Sequence, residues 1–331
     1  MEGICIRGTG SYLPPKLATN EDFMKIVDTS DEWIVSRTGI KQRHIACEPV
    51  WQMGVKAAKA ALEDARIPAS ELDLVLSTSV TSDFSTPGAS CMIAQHIEAV
   101  NAVCIDINAA CTGFVYALDM ARMYLTSGEY RNVLIVSPEK LSRITDYTDR
   151  STCVLFGDGA GAAVISASEE KKRFASYLRT DATGTKVLFA RHVDKGNPFQ
   201  EKQKANEFDG FEEHDNEYLY MNGKEVYKFA TRVLPLAVEE ACKKCGVAVE
   251  ELKYIIPHQA NIRIVKTACE RLGVPMDKMY LNVERFGNTS SASIPICVDE
   301  VNRRGLLQRG DLVAVVGFGA GLTYGAAVFE W

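Results

Sequence analysis

The residue best placed to do chemistry in this 331-residue chain is Cys111, at the junction between an apolar strand-like run and an apolar helical one. Before it, Ala102-Val103-Cys104-Ile105-Asp106-Ile107 is short and mostly apolar, as a strand would be. After it, residues 114–125 are apolar on nearly every side, broken mainly by Asp119 and Arg122, which predicts a buried helix ending near Gly128. Between them lies Asn108-Ala109-Ala110-Cys111-Thr112-Gly113-Phe114. A thiol at a helix N-terminus meets unpaired N–H groups and the positive end of the helix dipole, and both favour the nucleophilic thiolate. Ala109, Ala110 and Gly113 leave room for a substrate carbonyl beside the sulfur. A free cysteine is also often a small, inert core residue, so local context alone leaves both readings open.

Two distant segments supply partners. Ile255-Ile256-Pro257-His258-Gln259-Ala260-Asn261 ends an apolar run on a histidine, and Phe286-Gly287-Asn288-Thr289-Ser290-Ser291-Ala292-Ser293 puts an asparagine in a Gly/Ser/Thr-rich turn ahead of another helical pattern. Cysteine, histidine and asparagine this far apart form a nucleophilic site only if the fold joins them.

An internal repeat predicts that it does. Ala69-Ser70-Glu71-Leu72-Asp73-Leu74-Val75-Leu76-Ser77-Thr78 parallels Val249-Glu250-Glu251-Leu252-Lys253-Tyr254-Ile255-Ile256-Pro257-His258. Each follows an amphipathic helical pattern, at 55–65 and 233–245, and each half closes on a glycine-rich run, at 156–164 and 318–328. The strand and helix around Cys111 align with 280–302, which places Cys111 and the Gly287-Asn288 turn at corresponding points. The expectation is two α/β halves, 1–170 carrying the nucleophile and 171–331 carrying His258 and Asn288, facing one central cleft.

Composition narrows the remaining classes. With 47% apolar and 24% charged residues the chain is globular, and its net charge of −6 gives no reason to expect nucleic-acid binding. No apolar run approaches the roughly 18 residues of a membrane span. The opening Met1-Glu2-Gly3-Ile4-Cys5-Ile6-Arg7-Gly8 has neither the basic start nor the apolar stretch of a signal peptide. Ten cysteines in that setting point to free thiols in a reducing cytoplasm. Cys242-Lys243-Lys244-Cys245 has CxxC spacing but lies within a helical pattern and lacks a second pair, so no metal site is expected. Residues 191–217 are polar and poorly periodic, reading as an exposed insertion; His192 and His214 within it are poor catalytic candidates, and His44 and His96 lack the loop setting of His258.

Further collinear motifs run the length of the chain: Gly8-Thr9-Gly10-Ser11-Tyr12-Leu13-Pro14, Asp28-Thr29-Ser30-Asp31-Glu32-Trp33-Ile34, Arg37-Thr38-Gly39-Ile40 and Phe156-Gly157-Asp158-Gly159-Ala160-Gly161. With the Cys111, His258 and Asn288 segments they resemble the β-ketoacyl-acyl-carrier-protein synthase III family, the initiating condensing enzymes of bacterial fatty acid synthesis. That family belongs to the thiolase superfamily. The resemblance implies duplicated α/β halves in a five-layer αβαβα fold. Elongating synthases pair the cysteine with two histidines, whereas Asn288 stands at the second position here. Biosynthetic thiolases carry a further cysteine near the C-terminus, whereas this chain has Gly319-Ala320-Gly321 in the matching loop.

The resemblance also implies roles. Cys111 accepts an acyl group from acyl-CoA, with the backbone N–H groups of Cys111 and Ala320 as oxyanion hole. His258 and Asn288 donate to the thioester oxygen of malonyl-acyl-carrier-protein while it decarboxylates, and Phe318 shields the sulfur. Trp33 and Arg150 sandwich the CoA adenine, Arg37 meets phosphate, Thr29 the nucleotide and Asn261 the pantetheine arm. Lys224 replaces an asparagine at another arm contact. Lys228 and Arg263 match positions that dock the acidic acyl carrier protein. Thr86 stands where many members have a phenylalanine lining the acyl pocket across a homodimer interface, so the pocket could admit longer or branched chains, acetyl-CoA included. No cofactor is expected beyond acyl-CoA as substrate. Two alternatives accompany this reading: a related condensing or acyl-transfer enzyme of specialised polyketide or quinolone metabolism, and a non-catalytic partner subunit, against which the complete Cys111 constellation argues.

Overall fold

The computed structural model describes residues 3–192, 198 and 217–331. Two sheets form its centre. The first runs, in spatial order, Val103–Ile107, Leu74–Thr78, Asn132–Lys140, Asp158–Ser168 and Gly3–Tyr12. The second runs Tyr254–Pro257, Leu312–Gly319, Thr323–Glu330 and Phe174–Thr180. In both, the strand after the crossover pairs parallel and the following strands pair antiparallel. Four strands of each sheet therefore repeat one topology.

The helices complete the layering. Gly113–Thr126 and Ser293–Arg303 lie between the sheets, where Phe114, Leu118, Ile294 and Val298 pack with Leu76 and Ile135 of one sheet and Ile256 and Val313 of the other. A helix packed between two sheets is apolar over most of its surface, which is why Asp119 and Arg122 are the main breaks in residues 114–125. Val50–Ala65 and Ala89–Ile97 cover the outer face of the first sheet; Gly223–Cys245 and Ile262–Leu272 cover the second. The result is the duplicated, five-layer α/β arrangement.

Local differences from the expected elements have physical causes. The helix expected from 233 starts at Gly223, because the Asn222 side chain accepts from the Glu225 N–H and caps it while Pro235 is carried in its interior. The helix expected from 55 starts at Val50, after Pro49. The strand expected near 280, matching Val103–Ile107, is reduced to one bridge between Ile255 and Met279. There the buried Gln259 side chain does the work of a strand: its amide N–H donates to Pro257 and Tyr280 carbonyls, and its oxygen accepts from the N–H groups of Asn282 and Val283. Of the polar stretch 191–217, residues 193–197 and 199–216, including His214, lie outside the described residues. Nearby, Leu188–Phe189 pairs with Tyr220–Met221.

The repeat extends to the two turns that matter most. Ala110 at φ 47° and Ser290 at φ 50° are left-handed without being glycine, and each opens a single 3-10 turn, Ala110–Thr112 and Ser290–Ala292, ahead of a central helix. Left-handed backbone costs a non-glycine residue about 1–2 kcal/mol. Both turns are therefore held by their surroundings.

Candidate active site

A cavity of about 1100 Å³ opens between the halves, and Cys111, His258 and Asn288 all line it. Cys111 stands in the 3-10 turn leading into the central helix Gly113–Thr126. Its Sγ–H donates to Ser290 Oγ at 3.4 Å. Gly319 lies directly against it: a Cβ there would come within 2.7 Å of the Cys111 nitrogen. This close approach brings the Ala320 turn beside the Cys111 backbone, and the backbone at Gly319 is ordinary extended chain, so the demand is for space alone.

Burial pushes the Cys111 thiol up to about 12, outweighing the Ser290 hydrogen bond. Burial thus opposes the thiolate that the helix N-terminus favours. The dipole of a helix N-terminus supplies at most about 2 kcal/mol, whereas desolvating an anion this deep costs more.

His258 follows the strand Tyr254–Pro257, anchored by its N–H to the Val316 carbonyl at 2.7 Å. Its Nδ1 lies 2.7 Å from Ser293 Oγ, which also accepts from the Gln259 N–H at 3.3 Å. When the Ser293 hydroxyl donates to Nδ1, the ring proton sits on Nε2. Burial holds the imidazole down at about 3, so the ring is neutral near pH 7. The Phe318 ring, itself buried, meets it edge-on at 5.5 Å.

Asn288 is fixed from three sides. Its N–H donates to the Leu155 carbonyl at 2.9 Å, its carbonyl accepts from Gly157 at 3.0 Å, and its Oδ1 accepts from the Ser290 N–H at 2.9 Å. With Oδ1 occupied, the amide NH₂ remains as the donor. Gly287 permits the turn: it sits at φ +67°, and a Cβ would come within 2.9 Å of the Leu155 carbonyl and 3.1 Å of the buried Arg43 side chain.

The cavity mouth is basic and aromatic. Trp33, Arg37, Asn261, Lys224, Lys228 and Arg263 line it, as does His192. The guanidinium of Arg150 stands 5.4 Å from the Trp33 ring centre and that of Arg37 5.8 Å, so two cations flank one indole. Arg150 also donates to the Asp28 carbonyl at 2.8 Å. Asn261 caps the helix Ile262–Leu272, accepting from the Arg263 N–H at 2.8 Å. Lys228 pairs with Glu225 at 2.8 Å. Thr29 and Thr86 do not line the cavity of this chain; Thr86 is exposed, and the Thr29 hydroxyl is buried without a partner among the described residues. Phe318 and Ala320 both line it.

Sequence reasoning missed three groups here: Gln259, Ser290 and Ser293, all of which stood inside quoted motifs without a role.

Two profiles of 3-oxoacyl-[acyl-carrier-protein] synthase III match the chain, one over residues 105–182 and a C-terminal one over 242–331. The β-ketoacyl-[acyl-carrier-protein] synthase III of Clostridium acetobutylicum is 46% identical over 332 aligned positions, covering 100% of this chain and 99% of that protein. The crystal structure of 3-oxoacyl-[acyl-carrier-protein] synthase III from Aquifex aeolicus matches with a TM-score of 0.91 at 41% identity, covering 99% of this chain and 100% of that one. The priming β-ketosynthase of the R1128 polyketide pathway matches at 0.89 and 36% identity, over 99% and 96% of the two chains. With such identity over its full length, and the same layered fold, the chain belongs to the 3-oxoacyl-[acyl-carrier-protein] synthase III family, the acyl-transferring condensing enzymes of fatty acid synthesis within the thiolase superfamily.

Proposed function

We propose that this chain condenses an acyl-CoA primer with malonyl-acyl-carrier-protein through an acyl-Cys111 intermediate. The observation that carries the reading is the convergence of Cys111, His258 and Asn288, from three separate segments, on one cavity with a basic, aromatic mouth. Cys111 Sγ attacks the thioester carbonyl. The backbone N–H groups of Cys111 and Ala320, brought together by Gly319, receive the developing oxyanion. CoA leaves, and malonyl-acyl-carrier-protein enters the same cavity. His258 Nε2–H and the Asn288 NH₂ then donate to its thioester oxygen, so that loss of CO₂ yields an enolate without a general base. Two neutral donors in a buried site stabilise that charge without competing for the proton. The enolate attacks acyl-Cys111 and releases the β-ketoacyl product.

The mouth suits a nucleotide thioester. Trp33 with Arg150 offers an adenine two stacking faces, once the surface-placed Arg150 swings off the indole. Arg37 meets phosphate and Asn261 contacts the pantetheine arm, whereas the Thr29 hydroxyl is buried away from the cavity and offers no nucleotide contact in this arrangement. Lys224 cannot reproduce the accepting half of the asparagine it replaces, so that arm contact changes character. Lys228 and Arg263 form the rim for an acidic carrier protein. The ten unpaired cysteines suit a cytoplasmic enzyme.

A homodimer completes the reading. Among the described residues the edge strand Val103–Ile107 leaves its outer side unpaired, Val103 is 48% exposed and Phe84 49%, and Thr86 is exposed as well. An open, apolar edge is a pairing surface for a second copy. Thr86 would then wall the partner's acyl pocket.

Labelled acyl-CoA followed by peptide mass mapping is expected to place the acyl group on Cys111; labelling unchanged in Cys111→Ser would refute the role. His258→Ala and Asn288→Ala should abolish decarboxylation more completely than acylation. Equal loss of both half-reactions would mean the pair serves the thiol instead. The similarity to the R1128 priming ketosynthase supports a second reading, starter-unit condensation in specialised metabolism. Turnover of a primer panel with malonyl-carrier and malonyl-CoA as separate acceptors distinguishes them.

A further inference from the structure

The site described above leaves one buried ionisable group without a task. Glu139, at the end of the strand Asn132–Lys140, is fully buried and does not line the cavity, so it stands behind the site rather than in it. Its two oxygens face two different segments. Oε2 accepts from the Thr81 hydroxyl at 2.7 Å, the Val80 N–H at 3.1 Å and the Ser79 hydroxyl at 3.2 Å. Oε1 accepts from the Ser291 hydroxyl at 2.8 Å and, at 3.4 Å, from the Ser291 N–H. A backbone N–H can only donate, so both oxygens accept. One carboxyl group thus joins the loop after Leu74–Thr78 to the Ser290–Ala292 turn.

That turn needs holding. Ser290 is left-handed at φ 50°, a conformation unfavourable for any residue with a side chain. The conformation has a use: it aims the Ser290 N–H back at Asn288 Oδ1, 2.9 Å away, and that bond leaves the amide NH₂ as the donor on the other side. Asn288 and Ser290 both line the cavity, whereas Ser291 is wedged behind them. The Ser291 hydroxyl also lies 3.0 Å from the Thr78 carbonyl, and a Cβ on Gly113 would come within 3.2 Å of the Ser291 Cβ. The corresponding turn at Ala110 is built alike, with Asn108 Oδ1 accepting from the Ala110 N–H at 3.3 Å, yet among the described residues no carboxylate bonds to it. The buried acid serves the Asn288 turn alone.

We propose that Glu139 is a positioning residue: through Ser291 it holds Ser290 left-handed, and so keeps the Asn288 amide NH₂ aimed at the malonyl thioester oxygen. The inference rests on Asn288 donating to that oxygen during decarboxylation. Every link is a hydrogen bond or a peptide bond: Glu139 Oε1 to the Ser291 hydroxyl, Ser291 to Ser290 along the chain, and the Ser290 N–H to Asn288 Oδ1. Released from Glu139, the turn relaxes, the Ser290 N–H leaves Oδ1, and the amide is free to rotate. A donor fixed in advance stabilises charge as it develops, whereas a free one must reorganise in each turnover. Acylation draws instead on the Cys111 turn, packed against Gly319, so the two half-reactions respond differently.

The test uses full-length enzyme with acetyl-CoA as primer. Decarboxylation is read as CO₂ released from malonyl-acyl-carrier-protein, and acylation as label transferred to Cys111 in a single turnover, with the melting of each variant measured alongside. In Ser291→Ala, decarboxylation is expected to fall about 10–100-fold while acylation stays within about threefold. Glu139→Gln should show the same split and serves if Ser291→Ala does not fold. Its carbonyl oxygen stays with the nearer Val80 N–H, and its amide nitrogen then opposes the Ser291 N–H. Thr81→Val removes the shortest bond to the other oxygen; it should lower the melting temperature yet leave decarboxylation within about threefold. Added to Asn288→Ala, Ser291→Ala should cost less than about twofold more, since an absent amide cannot be misaimed. The proposal is overturned by decarboxylation within about twofold of the parent in folded Ser291→Ala, or by full additivity in the double variant. Equal loss of both half-reactions, or a Thr81→Val variant that matches Ser291→Ala, would overturn it too by marking a structural role. Parent-like decarboxylation in Asn288→Ala removes the reading beneath it; loss there with Ser291→Ala unchanged removes this inference alone.

Discussion

Deleting the Ser293 hydroxyl tests whether His258 works as a neutral donor in a fixed tautomer. Ser293→Ala removes the group 2.7 Å from Nδ1 and leaves a buried ring nitrogen without its partner. An unsatisfied buried acceptor costs about 1–3 kcal/mol. The ring can escape that cost by moving its proton to Nδ1, but Nε2 then presents a lone pair to the enolate oxygen. The donor is lost either through this shift or through the energy needed to prevent it, which corresponds to about 5–150-fold in rate. That range reaches the roughly 10²–10³-fold seen when one oxyanion donor is removed elsewhere. Because Cys111 acylation does not use Nε2, its rate should stay within about threefold. Decarboxylation of malonyl-acyl-carrier-protein and single-turnover acylation are measured on the same preparation, with melting to confirm folding. Parent-like decarboxylation in a folded variant would refute the tautomer argument, and equal loss in both steps would show that Ser293 merely supports the turn.

Three further outcomes are expected. The unfolded chain carries His258 at about 6.5 and the folded chain at about 3, so unfolding takes up a proton between those values. The stabilisation from keeping the ring neutral is complete above 6.5 and is lost as pH falls toward 3, by up to about 1.4 kcal/mol per unit; His258→Gln should lack this slope, and parallel stability curves would contradict it. Gly319→Ala should slow acylation at least about tenfold with little effect on decarboxylation, since its methyl meets the Cys111 nitrogen at 2.7 Å and spreads the oxyanion hole; unchanged acylation would place the hole elsewhere. Thr86→Phe should lower the ratio of kcat/KM for a long primer to that for acetyl-CoA, by about 1–3 kcal/mol in transition-state terms, and an unchanged ratio in a folded variant would remove Thr86 from chain-length control.

Much of the site was legible in the sequence because its groups sit at element boundaries. Cys111 between an apolar strand and an all-apolar helix, His258 at the end of another strand, and Asn288 in a glycine turn each carry a local signature. The repeat then predicted their convergence. What stayed hidden depends on partners far along the chain. Glu139 lies in a strand that reads as ordinary core, and its meaning comes from Ser291, 152 positions away. Ser293 gains a role only because His258 lies beside it in space. Gln259 hid a missing strand, since a side chain that copies backbone hydrogen bonds leaves no alternating pattern to read. The setting of Cys111 was only half legible for a related reason: a helix N-terminus is visible in sequence, but the burial that raises the thiol is not.

In the proposed homodimer, the edges of the two central sheets would determine where growth stops. Along Gly3–Tyr12, Arg309 and Arg303 occupy the carbonyls of Ile6 and Thr9, and Asp64 takes the Thr9 N–H. Along Phe174–Thr180, Lys244 and Tyr116 occupy the carbonyls of Ser176 and Arg179. Beyond Tyr254–Pro257, Gln259 draws the chain in and seals that side. Of the four edges of the two central sheets, Val103–Ile107 alone has an outer rim to which no side chain of the described residues bonds. A protein with several adhesive rims could add copies without limit, as fibres do. One with a single rim exhausts it in joining one copy of itself, and the pair has nothing left to offer a third. In the proposed homodimer, the limit of two copies would be set by side chains far from the join.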